Sequence, residues 1–170
     1  MIYFISDTHF YHSNIIKYCN RPFKDVNEMN NTIINNWNSI VKNNDTIYHL
    51  GDFCLSNDDE IKSIFNRLNG NKILIRGNHD RKPVKLYENI GFEVLTHAPI
   101  VLDEYKLMLS HVPLPDVKIK DGYINLHGHI HNKKISDDYP KNYSENKHIN
   151  LSVDSTDFKP VSLGENNKLR

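Results

Sequence analysis

Two cysteines, Cys19 and Cys54, are all that 170 residues hold, too few for the disulfide framework of a small secreted scaffold. They are expected to be reduced thiols in a cytosolic protein. Also missing is any run near the roughly 20 apolar residues that a membrane span requires. The opening MIYFISDTHF has no basic leader and no apolar stretch of signal-peptide length. Nor does one sign of charge dominate, because 21 Lys and Arg stand against 21 Asp and Glu. A neutral total gives no footprint of a protein that coats nucleic acid or docks on an acidic membrane, although a local basic patch stays open. Internal repeats and domain linkers are absent too. The expectation is one domain over residues 1–170, cytoplasmic, of open oligomeric state.

What the chain does hold is histidine. There are 10, several packed into short clusters with acidic residues. Histidine is the commonest metal ligand and the usual proton shuttle near neutral pH. The 23 asparagines make any single asparagine a weak signal.

Hydrophobic patterning places these clusters. Ile2–Ile5, Thr46–Leu50 and Lys72–Ile75 are short apolar runs that read as buried strands. Between them, Asp25–Val41 carries Val26, Met29, Ile33, Trp37 and Ile40 at helical spacing behind an Asp25/Glu28 capping box. Asn57–Leu68 repeats the pattern with Ile61, Ile64, Phe65 and Leu68, and Asn69-Gly70 stops it. The order β-α-β-α-β implies a parallel sheet flanked by helices. From Phe92 onward the pattern changes to short strands at Phe92–Thr96, Ile100–Leu102, Lys106–Ser110, Tyr123–His127 and Ile149–Val153, with Asp103-Glu104 turning a hairpin. Asn132–Lys147 is polar and aperiodic, hence an exposed loop. The fold class is α/β, in layers.

Each cluster directly follows one of these strands. Asp7-Thr8-His9 follows the first, Gly51-Asp52 the second and Gly77-Asn78-His79-Asp80 the third. His111 follows Lys106–Ser110, and His127-Gly128-His129-Ile130-His131 ends the next strand. Singly, most of these are ordinary: a Gly-Asp is a turn signal, and a lone histidine is usually a satisfied polar residue. Together they converge, because the carboxyl ends of the strands form the ligand crevice of an open α/β sheet. The donors are carboxylate, imidazole and one amide, without thiolate. That set suits manganese, iron, zinc or nickel better than a structural zinc. Seven donors are too many for one tetrahedral ion and about right for two ions sharing a carboxylate.

In this order the motifs resemble those of the calcineurin-like metallophosphoesterase family: Asp-x-His, Gly-Asp, Gly-Asn-His-Asp, a lone His, and Gly-His-x-His. The resemblance covers essentially the whole chain and departs once, where Gly51-Asp52-Phe53-Cys54-Leu55 lacks a second acid often found in that motif. It implies a four-layer αββα sandwich. It also implies that Asp7, His9 and His131 hold one divalent metal, that Asp52 bridges, and that Asn78, His111 and His129 complete the second site. His79 would then be the general acid, and Asp80 would orient it.

Beside these, His12 lies in a loop that must pass the site and is a candidate substrate contact, against a plain surface histidine. Arg21 and Arg76 are candidate phosphate clamps, since a guanidinium matches phosphate geometry, against structural ion pairs. His49 and His127 fall within strands and read as packed residues. The resemblance implies a phosphoesterase acting through a metal-bridging hydroxide, manganese being the first choice of metal. An uncapped chain without a basic tail suits a small, nucleotide-like phosphodiester better than a polymeric nucleic acid. A phosphomonoesterase or protein phosphatase is the alternative. A non-catalytic scaffold would be expected to have lost a ligand, and none is lost here.

Overall fold

In the computed structural model, which describes residues 1–96, 99–139 and 141–164, β1 (Ile2–Ile5) shows how the layers arise. Its side chains alternate. Tyr3 and Ile5 pack among helix residues such as Met29, Ile33, Trp37 and Ile61, while Phe4 faces Leu109, Leu126 and Leu151 on the other side. A strand covered on both faces needs apolar residues at every position, which is why the run is continuous.

Beside β1 lie β2 (Thr46–His49), β3 (Asn71–Ile75) and β4 (Glu93–Leu95), all parallel, and β9 (Val161–Ser162) closes the other edge antiparallel. The second sheet runs β5 (Ile100–Leu102), β6 (Leu107–Leu109), β7 (Ile124–His127), β8 (His148–Asn150). There β6, β7 and β8 are parallel and β5 is antiparallel, joined to β6 by a turn at Asp103–Tyr105. One apolar cluster lies between the sheets and another between the first sheet and its helices.

Those helices are α1 (Ser13–Tyr18), α2 (Val26–Ile40), α3 (Asp58–Arg67) and α4 (Val84–Ile90). At the start of α2, the Asp25 side chain accepts from Glu28 N at 2.8 Å, but the Glu28 carboxylate returns to Lys24 N, not to Asp25. Trp37 is fully buried and donates its indole N–H to Asn69 O at 3.0 Å. No helix among the described residues is long and apolar enough to cross a membrane.

The fourth layer, outside the second sheet, is thin. Loop residues cover it: Leu114 N donates to Asn125 Oδ1, and Tyr143 packs against His148. The expected exposed loop Asn132–Lys147 is a partial correction, since it contains α5 (Ile135–Asp138) with Ile135 buried. The expected strand Ile149–Val153 also shifts. After β8 the chain crosses to the first sheet, where Ser6 N donates to Leu151 O and Val153 N donates to Ser6 O.

Candidate metal centre

β1, β2, β3, β6 and β7 each lead into a turn that brings a polar side chain to one crevice. Backbone strain marks the place. Asp7, His9, Asp52, His129 and His131 all adopt left-handed φ between 49° and 71°. Such conformations are costly for residues with a side chain and gather where geometry matters more than stability. The glycines between them have a different reason. A Cβ on Gly128 would lie 2.0 Å from Ser6 Oγ and 2.2 Å from Asp7 Oδ2, and one on Gly77 would lie 2.2 Å from Asp52 Oδ1. Only hydrogen fits there.

The two carboxylates are held alike. Asp7 Oδ2 accepts from His129 N and Ser152 Oγ, both at 2.9 Å, while its Oδ1 is buried without a partner among the described residues. Asp52 Oδ1 accepts from His79 N at 2.8 Å, and its Oδ2 faces His9 Nε2 at 3.5 Å and His111 Nε2 at 3.4 Å. His9 Nε2 is likewise buried without a hydrogen-bond partner. Around Asp52 stand Asn78 Oδ1, 2.9 Å from His111 Nε2 and 3.0 Å from His129 Nδ1. On the other side Asp7, His9 and His131 offer donor atoms within 4.8 Å of one another, as do Asp7, Asp52 and His111. Donors about 2.1 Å from a shared ion sit roughly 3.0 to 4.2 Å apart, so the 3.4, 3.5 and 3.9 Å separations of His111–Asp52, His9–Asp52 and His9–Asp7 suit a cation. The buried, unpartnered carboxylate oxygen and imidazole nitrogen fit it too, because leaving such atoms unpaired is expensive.

Outer contacts fix which ring nitrogens face inward. His111 Nδ1–H donates to Leu50 O at 2.9 Å, and His131 Nδ1–H donates to Asp154 Oδ2 at 2.9 Å, so each presents Nε2. Burial works against charge on both rings. Yet bonding to Asp52, with Asp7 nearby, holds His111 up to about 9, and bonding to Asp154 holds His131 up to about 10. His9 is pushed well down by burial. Burial alone would raise the Asp52 carboxyl, but the His111 bond, with His111 and His9 charge, takes it far below the usual carboxylate range.

Several expected roles are revised. Asp80 does not touch the His79 ring. Its buried carboxylate accepts from Asp52 N, Phe53 N and Gly77 N at 2.7, 3.0 and 2.8 Å, so it ties the turns that carry Asp52 and Asn78 together. Burial, against those bonds, keeps its carboxyl up at about 6. Arg21 is buried and turned inward, its donors engaged by both Asp154 oxygens, Asp7 O, Thr8 O and Met29 Sδ. That leaves no N–H for a phosphate, and Arg21 braces the strained Asp7-Thr8 backbone. Arg76 donates to Asp80 O and Lys82 O and likewise holds a loop.

His49 is packed, as expected, and completes a chain of hydrogen bonds. Gly51 N donates to its Nδ1, its Nε2 meets Thr8 Oγ1 at 3.0 Å, and that hydroxyl donates to Phe53 O. His127 is also buried, Nδ1–H donating to Gly128 O. His12 does reach the crevice. Its Nδ1 lies 3.3 Å from His9 Nδ1, and with His9, His79 and His131 it lines a cavity of about 330 Å³. Asp154 and Ser152 escaped notice in the sequence, although both follow β8 as the other clusters follow their strands.

A family model described as calcineurin-like phosphoesterase matches residues 1–165. This chain belongs to that family. A curated relative, uncharacterized protein MJ1445 of Methanocaldococcus jannaschii, is 46% identical over 165 residues, covering 95% of this chain and 86% of that protein. Among solved structures, the protein of unknown function AQ665 from Aquifex aeolicus superposes with a TM-score of 0.70 at 33% identity, over 94% of both chains. The nuclease MPE of Pseudomonas putida shares the fold, with a TM-score of 0.53 at 21% identity over 76% of this chain and 61% of that one. The family match agrees with the two sheets and helices seen here, which are consistent with the metallophosphoesterase fold.

Proposed function

We propose that this calcineurin-like phosphoesterase hydrolyses small phosphodiesters at a centre of two divalent metals, manganese being the first choice. The observation that carries the proposal is a pair of buried atoms without hydrogen-bond partners among the described residues, Asp7 Oδ1 and His9 Nε2, 3.9 Å apart, with His9 Nε2 3.5 Å from Asp52 Oδ2. Asp7, His9 and His131 would hold one ion, Asn78, His111 and His129 the other, and Asp52 both. Two such ions, when bound, supply an acidified water and withdraw charge from the phosphoryl oxygens.

The chain's own residues do the rest. His79 lines the cavity, and its backbone N–H is bonded to Asp52, which fixes the main chain that carries the ring beside the ligand cluster. As general acid it gives a proton to the leaving oxygen while that P–O bond breaks and a water oxygen bonds to phosphorus. The products are a phosphate monoester and an alcohol. His12, beside His9, is suited to a phosphoryl oxygen. The cavity next to these rings gives room for a second ester arm, which favours a diester over a monoester.

Manganese-dependent hydrolysis of bis-(p-nitrophenyl) phosphate tests this, with p-nitrophenyl phosphate as the monoester control. Asp52→Asn and His79→Ala should each lower turnover about a hundredfold or more. A folded, metal-loaded chain inert with manganese, iron, zinc and nickel would sink the proposal.

A further inference from the structure

The cavity has a second end that the metal ligands do not use. Beyond His12 it is walled by Ile15, Tyr18 and Cys19, all from α1 and its cap. Ile15 is buried and forms an apolar floor, whereas Tyr18 is 73% exposed. Among the described residues its ring contact is with His12, whose ring meets it edge-on at 6.2 Å. On its other side His12 neighbours His79 at 6.0 Å and His9 at 5.2 Å. A row of rings thus leads from the ligand cluster to Tyr18. Lys133 stands at the rim, and among the described residues lining the cavity there is no carboxylate.

We infer that this end of the cavity is a nucleoside subsite, in which Tyr18 carries the base of the leaving group. For the reaction, though not for the binding, this rests on the hydrolase reading. Three features point to it. Reaching Tyr18 from an ester oxygen beside His79 means passing the His12 ring, a span that a whole nucleoside covers and a methyl or glycerol arm does not. Every base has a π-face, and stacking on an exposed tyrosine is tolerant of which base it is. The proton donor His79 lines the same cavity, so the arm lodged there is the one whose oxygen is protonated and expelled. The arm retained on phosphorus points elsewhere.

Cys19 provides a readout independent of turnover. It lines the subsite and is partly exposed, whereas Cys54 is buried, its thiol pushed up by that burial. In the EDTA-treated full chain, millimolar adenosine should slow N-ethylmaleimide labelling of Cys19, ribose should not, and Tyr18→Ala should abolish the protection. Equal labelling rates with adenosine and ribose would overturn the subsite. With manganese, adenosine 5′-(methyl phosphate) should yield adenosine and methyl phosphate, and should be preferred to the corresponding base-less methylribose diester. Tyr18→Ala should shrink that preference about tenfold, and Tyr18→Phe should keep it. Methanol and AMP as products, or a preference untouched by Tyr18→Ala, would refute the assignment while leaving the hydrolase intact. Protection without cleavage of any diester would uphold the subsite and sink the hydrolase reading instead.

Discussion

Asp154 is the residue on which most converges outside the ligand set itself. Its two oxygens hold Arg21 in a fork, and one of them also takes the His131 Nδ1 proton. Asp154→Asn keeps the shape but removes the charge that both partners face, and so weakens control over which His131 nitrogen turns inward. Manganese affinity should fall about ten- to a hundredfold, read by calorimetry on the folded variant. An unchanged affinity would show that His131 needs no such support. Gly128 makes the opposite kind of claim. In Gly128→Ala the new methyl must displace Asp7 or Ser6. The variant should lose metal binding even where circular dichroism shows a folded chain. Because each proposed ligand follows a strand, sequence reading could bring them to one crevice, but it gave Asp80 the wrong partner and left Arg21 open between a phosphate clamp and an ion pair. Only packing reveals that the Asp80 carboxylate points at backbone amides, and that Arg21 points at the Asp154 carboxylate and at the Asp7 and Thr8 carbonyls.

At the scale of elements, what was legible was what local physics dictates. α2 and α3 carry helical periodicity and capping side chains, and their N-caps are Asp25 and Asn57. Asp25→Ala should cost about 1 kcal/mol, measured as a shift in the urea midpoint, because one bond to Glu28 N is lost at an exposed site. A midpoint unmoved would mean the Glu28–Lys24 bond alone suffices. The short elements were not legible. α1 has six residues and α4 seven, neither with a capping side chain, and β9 has two. Segments that short are not stable helices or strands alone and exist because the core holds them: Ile15 and Tyr87 are the buried anchors of α1 and α4. β4 read as the start of the second group of strands, yet it pairs with β3 in the first sheet. Nothing in three residues tells which sheet they join.

Across the whole molecule, the buried histidines set a pH dependence that metal should reshape. His49 and His127 are driven by burial to about 3 and about 4, against an ordinary 6.5. Unfolded, they bind protons that the fold excludes, so stability is lost as pH falls from 6.5. Asp80, held up at about 6, opposes this below pH 6, but it is one group against several rings. On the alkaline side the sign reverses. His111 and His131 have folded pKa values raised to about 9 and about 10, so their stabilising contribution is complete below 6.5 and lost as pH rises toward those values. Lys72, lowered by burial to about 8, counteracts that loss only above pH 8. The EDTA-treated chain should therefore be most stable near pH 6.5, and its urea midpoint should fall at both pH 5 and pH 8. On the proposed assignment, metal held by His111 and His131 would take the place of those protons and remove the alkaline limb. With manganese, the midpoint at pH 8 should be no lower than at pH 6.5. An EDTA-treated chain whose midpoint keeps rising from pH 6.5 to 8 would mean that His111 and His131 are not protonated in the metal-free fold. The carboxylates would then stand charged against each other without a counter-ion.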